Sequence, residues 1–456
     1  MPVDAIVRLA EHVDRTSFAS LPATAVAAVK TFVLDSIGVA IAGSGEDAAA
    51  RLVGAAEAWG RGNEATVWGR RRRLPAPSAA LVNAFNTHCL EFDCVHEGAV
   101  VHPMATLLAA LCVAAEQRGA VTGREFVTAV AVGVDVAATL GVAARGPMQF
   151  FRPATAGAFG ATAALGKLAG LDVDTLVSAF GLVYGQASGT LQAHVEGLPA
   201  LGVQIGVNAR AAVTAVDLAR HGLPGPREVL EGRYGYFRLF EGNAYDVTAA
   251  LADLGRVWRV AELSHKPFPT GRLTHGVVDA LLRLRDAHGF TADDVERVTA
   301  RVPPLVARLV GRPVVAAPSA SYARLCLPLV AAIALRRGTV DVPDFRDAGL
   351  TDAAAHDLAR RIDVVADGNP DENAMVPQRV EVTRRDGSRH EVSVSAVLGS
   401  PDRPLTPEQH RAKFRRNWTY GAHPLDVERG ERLVELVDQL EAVADVRALL
   451  ALTVPR

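Results

Sequence analysis

Three histidines and three carboxylates fall within one sixteen-residue stretch, His88-Cys89-Leu90-Glu91-Phe92-Asp93-Cys94-Val95-His96-Glu97-Gly98-Ala99-Val100-Val101-His102-Pro103. Imidazole titrates near neutral pH, so His102 is a candidate general acid or base. Glu91 and Asp93 are alternate residues and share a side wherever the chain is extended. There they can orient His102, accept a proton, or anchor the loop through backbone N–H groups. His96 and Glu97 complete the cluster, and His96 is a candidate substrate contact. The ligand types suit zinc, but their spacing matches no standard zinc site, so no metal is expected. Cys94 reads as a buried, inert thiol.

A second candidate is Lys266, in His265-Lys266-Pro267-Phe268-Pro269. Basic residues are almost all arginine, and the lysines are Lys30, Lys167, Lys266 and Lys413. Arginine would serve wherever only positive charge is needed. A lysine in an apolar, proline-rich turn therefore points to an amine that titrates, or to a plain cation for a carboxylate. Arg152 and Arg272 are candidate carboxylate clamps, because guanidinium pairs bidentately with carboxylate. Either also fits an interface ion pair. Gln204 is a candidate hydrogen-bonding group for substrate, and His275 is expected at the rim of the site, on the helix after Lys266.

These groups need elements to position them. Ala79 to Phe85 and Ala105 to Leu111 read as apolar helices on either side of the titratable loop, with Pro103 in the first turn of the second. A titratable loop between two buried helices is the arrangement expected at a pocket floor. At 456 residues the chain is expected to form two domains. Residues 1–262 read as helix after helix, including Ala25 to Ala42 interrupted at Asp35-Ser36, and an all-round apolar run to Val142. Residues 263–400 read as a smaller α+β domain. Its signals are an alternating strand through Val302 and a hairpin, Gln378 to Arg384 and His390 to Val394, about Asp386-Gly387. Residues 401–456 read as a helical tail that returns to the first domain, with an amphipathic pattern from Glu428 to Leu449. The fold class is thus mainly α, a large helical domain with an inserted α+β lid.

Other functions are disfavoured. Net charge is -2, which leaves no nucleic-acid footprint, and Arg70 to Arg73 runs into Leu-Pro-Ala-Pro as a solvated turn. Cys89, Cys94, Cys112 and Cys326 form no CxxC pair, so a reducing cytoplasm is the simpler setting. Met1-Pro2-Val3-Asp4 does not begin a signal peptide. Gly, Asp, Arg or Gln is expected to break each apolar helix before it spans a bilayer. No P-loop, dinucleotide fingerprint or GxSxG elbow is present.

Taken in order, several stretches resemble the MmgE/PrpD family. They are Leu34 to Gly43, His88 to Pro103, Phe159 to Ala164, Lys266-Pro267-Phe268-Pro269 with Thr274-His275, and Gly399 to Pro404 leading to Lys413-Phe414. The resemblance runs from about residue 5 to 450. It implies a helical domain built from both ends of the chain, an inserted lid, a homodimer, and a site between domain and lid. It also implies cofactor-free chemistry on small polycarboxylic acids, a carbanion being made or quenched beside a carboxylate. Activities in the family include 2-methylcitrate dehydratase, cis-aconitate decarboxylase and iminodisuccinate epimerase. The family pattern carries over at Glu91-Phe92-Asp93, His102-Pro103, Lys266 and His275. It departs at Cys94-Val95, at Arg152 for a histidine, at Leu201 for a lysine, at Gln204 for a histidine, and near Leu329 for a tyrosine, with Tyr322 and Arg324 close by. A lyase with His102 and Lys266 as proton-moving groups is the leading expectation. An epimerase using the same carbanion, and a catalytically silent ligand-binding relative, remain open.

Overall fold

The computed structural model describes residues 4–371 and 373–455, so the segment Met1 to Val3 lies outside the described residues. The fold is mostly helical. Its centre is formed by α1 (Ala23–Gly43), α2 (Ala76–His88), α3 (Pro103–Arg118), α4 (Gly123–Ala143), α5 (Arg152–Ala169) and α6 (Ala200–Arg220). These helices pack closely because their contact faces carry Ala and Gly. A Cβ added at Gly160 of α5 would lie 2.6 Å from the Gly133 carbonyl oxygen of α4. No side chain fits at that crossing.

Two sequence expectations change here. α1 runs unbroken through Asp35-Ser36, because the Asp35 carboxylate lies 2.7 Å from the Lys413 ammonium. And α1 and α4 do reach 21 residues with apolar composition, long enough to cross a membrane; 72% and 94% of their most apolar windows are buried inside the fold. Packing against neighbouring helices accounts for that composition.

The chain leaves the helices near β2 (Leu263–Ser264), which pairs antiparallel with β1 (Val95–His96) of the loop between α2 and α3. Beyond it, α7 (His275–His288) and α8 (Leu327–Arg337) accompany a four-stranded sheet of β3 (Val295–Val302), β4 (Ile362–Ala366), β5 (Gln378–Arg384) and β6 (Arg389–Val394). Its spatial order is β4-β3-β5-β6, with β3 and β4 parallel and the other pairs antiparallel. Gly387, at φ +84°, makes the β5–β6 turn that the Asp-Gly pair announces. α9 (Pro407–Thr419) then packs on α1, its Phe414 ring filling the space that a side chain at Gly38 would need. The amphipathic pattern from Glu428 to Leu449 is three helical pieces, the second a 3-10 turn over Leu440–Ala442. α10 (Val427–Asp438) ends, and a short turn starts afresh at Arg447, whose N–H is accepted by the Asp445 carboxylate.

Gly160→Val is expected to lower the folding free energy by about 1–3 kcal/mol through overpacking. Denaturant unfolding followed by circular dichroism measures this; an unchanged midpoint would contradict the close crossing.

Candidate active site

The titratable loop is shaped by its backbone before its side chains meet. α2 ends at His88, and Glu91 then adopts a left-handed conformation, φ +52°, as does Val100. A non-glycine residue there costs about 1–3 kcal/mol, so other interactions must hold it. The Glu91 N–H donates to the His88 carbonyl at 2.9 Å, and the Lys413 ammonium donates to the Phe92 carbonyl at 2.9 Å from beneath. The β1–β2 pairing brings in the second chemical element, since Lys266 follows Ser264 by two residues. His102 is the N-cap residue of α3, with Pro103 in its first turn.

Five side chains converge. The Lys266 ammonium is fully buried, 3.1 Å from Glu91 Oε2, 3.2 Å from the Glu91 carbonyl and 3.8 Å from Asp93 Oδ1. Asp93 Oδ2 lies 3.0 Å from His88 Nδ1 and 3.1 Å from His102 Nδ1. His88 Nε2 lies 3.6 Å from Glu91 Oε1, and the two imidazoles meet edge to face at 5.0 Å. One carboxylate therefore serves two imidazoles. His88, Cys89 and Glu91 form one end of a narrow cleft walled by Ala193, Gly197 to Pro199, Leu201, Gly202, Ser321 and Leu325. The cleft thus lies between the helical part and the segment before α8.

The environment splits the titrations. Burial opposes charge on His88, but Asp93 and Glu91 together outweigh it and raise its pKa above 6.5. For His102 burial prevails, aided by Lys266 and against the pull of Asp93, and its pKa falls. Burial alone would raise Glu91; Lys266 first, then the two imidazoles, bring it down to about 2. Asp93 is held well below the usual range, burial being overcome by His102, His88 and Lys266. The site thus moves two neighbouring imidazoles in opposite directions from the ordinary histidine value, His88 up and His102 down, over two carboxylates.

His102, Asp93, Glu91 and Lys266 are brought together. The other expected site residues are elsewhere in the hydrogen-bond network. Arg152 is buried and donates to both oxygens of Glu241, at 2.9 and 2.8 Å, and to the Ala99 carbonyl, so it supports the loop from behind. Arg272 is also buried, holding Glu97 at 2.8 Å and the carbonyls of His265 and Leu398. Gln204 closes a local loop onto the backbone of Thr190. His96 pairs with Glu262 at 2.9 Å. His275 starts α7 but is fully buried, not at the rim, with Nε2 3.2 Å from the Thr270 carbonyl oxygen.

His88 escaped the sequence reading as a site residue. Its signal was its place three residues before Glu91 and five before Asp93, which lets the helix terminus face both. Arg152's partner Glu241, 89 positions away, had no sequence signal. Among the described residues, two sets offer metal-ligand atoms within 4.8 Å of one another, His88-Asp93-His102 and Asp35-His265-His410. In each, a lysine ammonium already faces the carboxylate, which opposes a dication.

A fold of this kind, with a buried acid–base cluster on the loop after α2, is matched at the level of family. The chain belongs to the MmgE/PrpD family: the MmgE/PrpD N-terminal domain matches residues 7–247 and the MmgE/PrpD C-terminal domain residues 268–439. Among curated relatives, it is 26% identical to cis-aconitate decarboxylase of Mus musculus, covering 93% of this chain and 88% of that one. It is 28% identical to the cis-aconitate decarboxylase-like protein oryM of Aspergillus oryzae, over 95% and 93% of the two chains. Cis-aconitate decarboxylase of Aspergillus terreus is 26% identical over 95% and 92%.

Lys266→Met removes the cation facing two buried carboxylates and is expected to cost about 3–5 kcal/mol of folding free energy. Adding Glu91→Gln should recover part of that loss. Urea unfolding of wild type, single and double variants at pH 7 reads the effect, and equal stability of the first two would contradict the burial of this pair.

Proposed function

We propose that this chain is a lyase, a decarboxylase or dehydratase of a small carboxylic or polycarboxylic acid, working through a carbanion alpha to a carboxylate. The observation that carries the proposal is geometric: two imidazoles, His88 and His102, within 3.1 Å of one Asp93 carboxylate oxygen, with the Lys266 ammonium on the other side of that carboxylate. The family membership and the names of the relatives support the substrate class. In a dehydration, neutral His102, oriented by Asp93, takes the proton from the carbon alpha to the substrate carboxylate. The Lys266 ammonium stabilises the negative charge that develops on that carboxylate. In a dehydration, His88 gives its proton to the departing hydroxyl, which leaves as water. In a decarboxylation, carbon dioxide leaves and the resulting carbanion takes the His88 proton. All these groups belong to the chain, and no cofactor is invoked.

In the same proposal the α+β segment 263–400 acts as a lid over the helical parts 1–262 and 401–456, because the cleft draws walls from both. We further take the enzyme to be a cytoplasmic homodimer; unpaired cysteines support the reducing compartment. The split pair also suits an epimerase, which would take the proton with one imidazole and return it from the other face with the second.

Solvent deuterium incorporation followed by NMR tests the proposal, with cis-aconitate, citrate, 2-methylcitrate and malate as candidates. Wild type is expected to exchange the α-proton or convert at least one acid, and His102→Ala or Lys266→Ala to slow this by about 10²-fold or more. An acid that binds yet never exchanges, or variants as active as wild type, would overturn the reading; the product separates lyase from epimerase. The pH dependence carries a sign as well. A base with a lowered pKa must lose its proton and an acid with a raised pKa must keep it. So kcat/KM should rise with pH below 6.5, stay flat through it, and fall above it. A profile falling steadily from pH 5 upward would reverse the assigned roles.

A further inference from the structure

The central cation of the site is sealed. The Lys266 side chain has no exposed surface, and the cleft at Glu91 has room for about one water molecule. No external carboxylate reaches that ammonium while the side chains stand as they do. An ammonium has three N–H donors. Among the described residues, both hydrogen bonds that this one makes go to Glu91, at 3.1 Å to Oε2 and 3.2 Å to the backbone carbonyl. Asp93 Oδ1 stands at 3.8 Å, beyond hydrogen-bonding distance, and is buried with no hydrogen-bond partner.

Glu91 is the group between cation and cleft. Its carboxylate touches Lys266, yet the residue also lines the cleft, and its side chain keeps 11% of its surface exposed where Lys266 and Asp93 keep none. It is the one carboxylate in that lining. Cys89, Pro199 and Ser321 of the cleft also line a neighbouring cavity of about 320 Å³, enough for a small organic acid. The backbone adds a second argument. Glu91 has φ +52°, a conformation that glycine and asparagine adopt more readily than glutamate. The turn alone does not call for a glutamate, so the side chain is there for its carboxylate.

We propose that Glu91 is a stopper built into the chain: its carboxylate holds the Lys266 ammonium until an incoming carboxylate displaces it. The two compete for one cation, so Glu91 sets the affinity of the site for every carboxylate that enters. Identifying the incoming group as the substrate's carboxylate rests on the lyase reading; the competition itself does not.

Formate, the smallest carboxylate, is the probe, titrated calorimetrically at constant ionic strength against chloride. Glu91→Gly removes the stopper and suits the left-handed backbone; Glu91→Asn shortens and neutralises it while tolerating the same backbone. Both variants are expected to bind formate about tenfold more tightly than wild type, or better, and to melt at higher temperature in its presence. The chain has four lysines, so NMR of lysine-labelled protein follows the ammonium directly. Formate should shift the Lys266 signal in the variants and leave Lys30 and Lys167 in place. A purely structural ion pair predicts variants that are less stable and take up no formate. Wild type binding formate as tightly as the variants, folded variants that bind none, a shift that spares Lys266, or both variants failing to fold even in formate would each overturn the proposal. None of these readouts depends on turnover. Formate uptake by the variants, with no α-proton exchange by wild type on any acid it binds, would sink the lyase reading alone. Exchange by wild type, with no formate uptake by folded variants, would sink this one alone.

Discussion

The buried ammonium of Lys266, set against Glu91 and Asp93, is the constraint on which the rest of this structure depends. Charges taken out of water are costly unless their partners are held at short range. Much of the surrounding architecture does that holding. The β1–β2 pairing joins the loop to the segment carrying Lys266. Arg272 and Ser264 both grip Glu97, at 2.8 and 2.7 Å, fixing the far end of the loop to the same segment. α9 contributes Lys413, which ties the Phe92 carbonyl to Asp35 of α1. Residues from the start, middle and end of the chain thus converge on one turn.

That turn converts position into chemistry. Asp93 has no exposed atoms and serves His88 and His102 through one oxygen, yet the two imidazoles do not share an environment. Glu91 stands near His88 and adds to the pull of Asp93, whereas for His102 burial prevails. Small differences in the company of two identical side chains move their pKa values in opposite directions. That is how a site acquires an acid and a base without importing either. The left-handed backbone at Glu91 is part of the same device, since it accompanies the turn of that carboxylate toward Lys266.

Much of this was legible in the sequence. Helices dominated by Ala, Val and Gly, the Asp-Gly hairpin and the acid-histidine loop all follow from local pattern, because each depends on residues close in the chain. His102, Asp93, Glu91 and Lys266 were likewise picked out by type and setting, and they do meet. What was not legible depends on distant partners. Arg152 and Arg272 have the chemistry of carboxylate clamps, but Glu241 and Glu97 occupy them, and nothing near either arginine announces this.

The central claim is that Asp93 and its neighbours move the pKa values of two imidazoles in opposite directions. Long-range nitrogen–proton correlation NMR of histidine-labelled protein, followed from pH 5 to 8, reads both rings directly. The account predicts that His88 titrates above 6.5 and His102 below it, so that between the two only His88 carries two ring protons. Coincident titration of the two rings, or the reverse order, would contradict it.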